Sequence, residues 1–154
     1  MPFQLRQATR DWFRHIEDDF DLAFDMYYFC LIAGLVEGER TTVDSDKTSE
    51  LVSRFPGDYQ EKSRYIVALY LSQELRSLGV DFSDRETLHD QISYLIDSMK
   101  PSRLSSEGMR RMNQYSYGGL AVLKEWFDEK PRSLEEFLPH YYRYLKASQL
   151  KYKW

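Results

Sequence analysis

Residues 12–35 read WFRHIEDDFDLAFDMYYFCLIAGL. Within them Trp12, Phe13, Ile16, Phe20, Ala23, Phe24, Tyr27, Leu31 and Leu35 recur at steps of three and four, the spacing that gathers apolar side chains on one face of a helix. The acidic cluster from Glu17 to Asp21 interrupts this run. It either bends one long helix or caps a second one starting near Asp21. Gly38 is placed to stop that helix in the left-handed conformation.

The same period governs the rest of the chain. Tyr59, Ile66, Leu69, Tyr70 and Leu78 form a helical repeat closed by Gly79, with Asp58 and Glu61 as a capping pair. Ser83 and Glu86 read as a capping box for a helix carrying Leu88, Ile92, Leu95 and Ile96, which ends before Pro101. Ser105 or Ser106 caps a further helix reaching Phe127, and Ser133 with Glu136 opens the last one. Pro139 falls where it either kinks that helix or starts another. Between these runs, residues 39–49 are polar and aperiodic and read as an exposed loop. A short helix is expected over Ser49–Arg54, broken by Phe55-Pro56-Gly57. No stretch alternates as a strand does. The expected fold is therefore all-α, a single helical bundle of about five to seven helices with no sheet. One domain over residues 1–154 is expected, with 149–154 as a frayed tail.

Length and composition agree with a chain that buries its own core: 154 residues, 42% hydrophobic and 30% charged. Aromatic residues reach 16%, and half of these are the 12 tyrosines. Tyrosine offers an apolar ring and a polar tip, so the excess serves either core filling or an interface. The one cysteine, Cys30, excludes an internal disulfide and a multi-cysteine metal site. It lies in the apolar run from Met26 to Leu35 and reads as an inert buried thiol. That run is too short to span a bilayer, and the first residues show no secretory pattern. A cytoplasmic location with no membrane partner is the expectation.

Charge is unevenly divided. Residues 1–98 carry 10 Lys/Arg against 19 Asp/Glu, and residues 99–154 carry 11 against 6. A front half at −9 thus meets a back half at +5, for the chain's −4. In the front, Asp18, Asp21 and Asp25 are spaced to share one helix face, where like charges repel by a few tenths of a kcal/mol per pair. Either they form a solvated face or they meet a basic surface. In the back, Lys100, Arg103, Arg110 and Arg111 cluster about a helix start, where the dipole disfavours cations but where, with the backbone amides, they could hold phosphate. Farther on, Tyr141, Tyr142, Arg143, Lys146 and Trp154 interleave cations with rings. That mixture suits a protein interface and equally a single-stranded nucleic acid. A pI near 5.4 is far from the basic footprint of a dedicated nucleic-acid binder.

Candidate chemistry is sparse. Glu86-x-x-His89 has the spacing of a carboxylate–imidazole metal pair on one helix face, but no second copy accompanies it. Glu136 and His140 are separated by a turn holding Pro139, and His15 and Glu17 face apart. Phosphate-binding loops, nucleophile elbows and zinc patterns are absent, and no cofactor is expected. Gly118-Gly119 inside a helix costs about 1 kcal/mol per glycine unless a neighbouring backbone packs there, the helix breaks, or a ligand enters the gap. The sequence favours a non-catalytic interaction subunit that acts within a larger assembly or with a second copy of itself. An accessory nucleic-acid-binding protein using the basic back half is the alternative, and a carboxylate/His metal-dependent enzyme is a second one.

Overall fold

A computed structural model describes residues 1–152, the side chain of Tyr152 excepted. Its elements run β1 (Gln4–Arg6), α1 (Gln7–Trp12), α2 (Phe24–Glu37), β2 (Thr48–Glu50), α3 (Ser63–Ser77), α4 (Arg85–Leu95), α5 (Ser106–Trp126) and α6 (Leu134–Tyr152). Short 3-10 turns lie at Glu17–Asp19, Ser45–Lys47 and Gly57–Tyr59. The fold is mostly helical, as the periodicity predicts.

Helices α2 and α5 cross at the centre. The crossing is close because both present glycine. A Cβ at Gly34 would collide with the carbonyl of Tyr115, and one at Gly119 with the carbonyl of Cys30. At Gly118 it would lie 2.6 Å from the carbonyl oxygen of Glu39. The Gly118-Gly119 pair therefore exists for backbone approach, and α5 continues unbroken through it. Around the crossing the core is built of rings packed edge-on, the arrangement their quadrupoles favour. Phe13, Phe29 and Phe137 meet at 5.3 and 5.1 Å, and Phe29 meets Tyr141 at 4.9 Å. Full burial of each such ring contributes about 1.5–3 kcal/mol.

Much of the tyrosine excess is core. Tyr27, Tyr70, Tyr115 and Tyr141 are fully buried. Each hydroxyl donates to an internal acceptor: Asn113 Oδ1 at 2.8 Å, the Gly108 carbonyl at 2.9 Å, Glu74 at 2.6 Å and the Phe29 carbonyl at 2.8 Å. Burial raises all four phenols above the ordinary tyrosine range. Cys30 is also buried, and burial pushes its thiol up to about 12, which keeps it protonated and inert.

Several expectations need correction. Of the two readings of the acidic run the bend fails: α1 ends at Trp12 and a second helix, α2, starts at Phe24, three residues past Asp21 and with no side-chain cap. A small sheet exists. β1 and β2 pair antiparallel, Gln4 with Glu50, Leu5 with Ser49 and Arg6 with Thr48, where a short helix over 49–54 was expected. Phe3 extends the pairing to Val52 and Leu51 at 2.9 Å each. The buried Asn113 side chain ties this strand to α5, accepting from the Gln4 amide and donating to the Pro2 carbonyl. The cap of α4 is Asp84, which accepts from the Thr87 amide, rather than Ser83. No side chain caps α3, so Asp58 and Glu61 make no capping box. Ser105 and Ser133 do cap α5 and α6, and Gly38 and Gly79, both at φ +69°, follow α2 and α3. Pro139 is accommodated within a continuous α6. Lys153 and Trp154, part of the expected frayed tail, lie outside the described residues.

Candidate binding surface

Arg110 and Arg111 are both ion-paired within the chain, Arg110 at the surface and Arg111 largely covered. Glu107, one turn earlier on α5, pairs with the Arg110 guanidinium and accepts from Arg111 Nε at 2.8 Å. Hydrogen bonding from Arg110 holds the Glu107 carboxyl well below the usual range, at about 2. Arg111 also reaches Glu74 on α3 at 2.9 Å. Glu74 has no exposed surface. It takes Arg40 at 3.2 Å and the Tyr115 hydroxyl at 2.6 Å besides. A buried charge of this kind survives only when its lone pairs are met, and here they are. Of the four cations expected around the start of α5, these two thus carry internal counter-charges.

Lys100 and Arg103 behave differently. They sit in the tight loop between α4 and α5. Ile96 and Leu104 form a single antiparallel bridge across its neck. The Asp97 amide donates to the Arg103 carbonyl at 3.0 Å, and the Asp97 side chain accepts from the Met99 amide at 3.0 Å. Arg103 adopts φ +65°. A non-glycine residue there carries strain of about 1 kcal/mol or more. Both side chains are exposed, and neither has an ion-pair partner among the described residues.

This loop forms one wall of a half-open groove of about 290 Å³. Val67, Ala68 and Leu71 of α3 form the other wall, Ile96 and Pro101 line the loop side, and the buried Phe55 lies beneath. Gln60, Ser63 and Ser102 add polar contacts, and Arg64 and Arg103 add the charge; no carboxylate lines it. Arg64 is exposed on α3 and likewise has no ion-pair partner among the described residues. A neighbouring hollow shares Pro101 and Ser102 and includes Lys100. Met99, at the tip of the loop, is 89% exposed.

The remaining expected site residues are scattered. Tyr141 is a core residue, 1% exposed. Tyr142, Arg143 and Lys146 are exposed on α6, remote in sequence from the groove. Next to them Tyr144 stacks on His140 at 4.9 Å and on Trp126 at 6.0 Å, and His140 Nε2 donates to the Trp126 carbonyl at 2.6 Å. Part of the aromatic content of this region is therefore spent internally. Trp154 lies outside the described residues. The acidic stripe is not one helix face: Asp18 lies in the 3-10 turn and Asp21 in the bend after it, both exposed. Asp25 stands in the first turn of α2, accepting from the Leu22 amide at 3.2 Å and from the Tyr59 hydroxyl. His89 is on a solvated face of α4, 81% exposed, with Asp90 beside it. Among the described residues, no three His, Cys, Asp or Glu side chains come together as a metal site would need. No helix of the described residues is long and apolar enough to cross a membrane.

Sequence reasoning missed Arg64 and Phe55 as site residues. The breaker Phe55-Pro56-Gly57 and the stop at Pro101 marked the groove's edges without showing that they meet. No protein-family model, curated protein or solved structure matches the chain.

Proposed function

We propose that this chain is a non-catalytic helical interaction subunit that binds another protein within a larger assembly. The groove between α3 and the 96–103 loop supports this reading best. It combines partly exposed aliphatic walls with arginines that have no ion-pair partner among the described residues, whereas Arg110 and Arg111 are ion-paired. Aliphatic surface rimmed by arginine is the composition of an interface anchor site. The strained backbone at Arg103 points the same way, since strain persists where surrounding structure and function hold it.

A photo-crosslinking residue decides the matter in the source cell. Benzoylphenylalanine at Ala68, exposed inside the groove, is expected to yield a discrete protein adduct. The same residue at Glu129, exposed in the turn before α6, is expected to yield none. No adduct from position 68, or the same adducts from both positions, overturns the proposal.

A further inference from the structure

We infer that the groove takes an acidic–aliphatic peptide segment of its partner, one that sets two or three aliphatic side chains between α3 and the 96–103 loop and its carboxylates against Arg64 and Arg103. The inference rests on the interaction-subunit reading and names the chemistry of the occupant.

Charge complementarity carries it. Among the described residues the groove lining holds two guanidinium groups and no carboxylate; the adjoining hollow holds Lys100 together with Glu50 and adds no net charge. In a chain of net charge −4, Arg110 and Arg111 pair with Glu107 and Glu74, whereas Arg64 and Arg103 have no ion-pair partner among the described residues. Arginine offers a planar fork that matches a carboxylate, so acidic side chains are the fitting counter-ions.

The walls choose between kinds of anion. Val67, Ala68, Leu71, Ile96 and Pro101 are aliphatic, and the one lining ring among the described residues, Phe55, is only 4% exposed. A single-stranded nucleic acid needs open ring faces on which bases stack, and the described lining of this groove offers none. The groove is half-open to solvent, which suits a segment laid along it better than a guest enclosed on all sides. From Arg64 to Leu71 the α3 wall runs about 10 Å, enough for two helical turns of a docked segment. Met99 at the loop tip supplies a flexible apolar side chain of the sort that adapts to a partner.

A displayed library of random peptides, each about 15 residues long, tests this on the intact protein. Selection is run against the native chain, with depletion on Ala68→Glu, a substitution at an exposed helical position that fills the groove. The expected survivors carry Leu, Ile, Val or Met at steps of three and four with flanking Asp or Glu. A synthetic survivor, followed by fluorescence anisotropy, is expected to lose at least about tenfold in affinity against Arg64→Glu/Arg103→Glu and to bind more weakly as salt rises. Circular dichroism of each variant guards against misfolding. No survivors above the Ala68→Glu background, or survivors that are neutral or basic, overturn the inference. So does binding indifferent to the charge reversal. Labelled oligodeoxythymidine that binds the native chain and not the reversed variant assigns the cations to nucleic acid and overturns it too. A crosslinked partner at Ala68 together with any of these failures removes the acidic–aliphatic chemistry and leaves the interaction-subunit reading standing.

Discussion

Tyr115 donates its hydroxyl to Glu74 at 2.6 Å, and the carboxylate that accepts it has no exposed surface. Burial, reinforced by that carboxylate, raises the Tyr115 phenol above its ordinary range, so it remains a donor. Arg111 supplies the principal counter-charge, being 17% exposed where Arg40 is 42% exposed. Removing one partner of a buried pair strands the other. Arg111→Met is therefore expected to cost about 3 kcal/mol, whereas Arg40→Met, at a solvated position, is expected to cost less than about 1 kcal/mol. The triple variant Glu74→Leu/Arg111→Met/Tyr115→Phe should regain most of the loss, because neither a buried charge nor a buried hydroxyl is left without a partner and Arg40, 42% exposed, is hydrated. Urea unfolding of the four proteins checks this. Equal costs for the two arginine variants would show that the network is not organised around Arg111.

Glu107 makes folding depend on acid. Its carboxyl is held at about 2 in the folded chain, against an ordinary value of 4.5. A depressed folded value means that the contribution is complete above the ordinary value. It is then lost as the pH falls through that value toward about 2. Between pH 5 and pH 2 the native chain should therefore lose more stability than Glu107→Gln, which carries no titrating group there. The unfolding midpoint in urea, measured at several pH values, reads the difference. Parallel profiles for the two proteins would remove Glu107 from the account.

Gly119→Ala sets local preference against packing. Helix propensity alone makes alanine better by about 1 kcal/mol. The added methyl would lie 2.9 Å from Cys30 Cα and nearer still to its carbonyl, and backbone cannot step aside as a side chain can. Overpacking of this kind costs about 1–3 kcal/mol, so the variant is expected to be less stable despite the better helix former. Gly57→Ala, with nothing within 4 Å of its new carbon, is the matched control and should unfold close to the native chain. A thermal melt of each suffices; a stabilised Gly119→Ala would mean that α2 and α5 do not approach as described.

Legibility in the sequence followed the range of the interactions. Ser105, Ser133, Gly38 and Gly79 were readable because a cap is settled within one turn of chain. Ser83 was taken for Asp84 because both are short polar acceptors, one residue apart. The strand pair was hidden for a different reason: Phe3 and Leu5 alternate inward, but Thr48-Ser49-Glu50 buries nothing, so its half of the sheet has no apolar signature. The acidic stripe assumed that helical spacing continues through residues 17–23, where the chain turns instead. Arg111 meets Glu74 across 37 residues, so no local pattern reveals that its charge is already matched. The groove depends on α3 meeting the 96–103 loop, a tertiary fact. Its cation at 103, like Lys100 in the neighbouring hollow, was visible, but Arg64 had no feature to separate it from other surface arginines.

Arg103 provides the sharpest separation of stability from binding. At φ +65° an arginine is strained, and glycine is not. Arg103→Gly relieves that strain, about 1 kcal/mol or more, but lengthens the list of unfolded conformations, an opposing effect of about 0.4–1 kcal/mol. The variant is expected to be as stable as the native chain or slightly more so. Its affinity for a selected acidic–aliphatic peptide is expected to fall about tenfold, since a rim guanidinium is gone. Arg103→Lys keeps both the strain and the charge and loses only the planar fork, so it should bind at an intermediate level. Calorimetric melts and peptide titrations on the three proteins give both readings. A marked loss of stability in Arg103→Gly would show that the loop favours arginine for its own packing. Undiminished peptide binding would show that the strained residue is not held there for a partner.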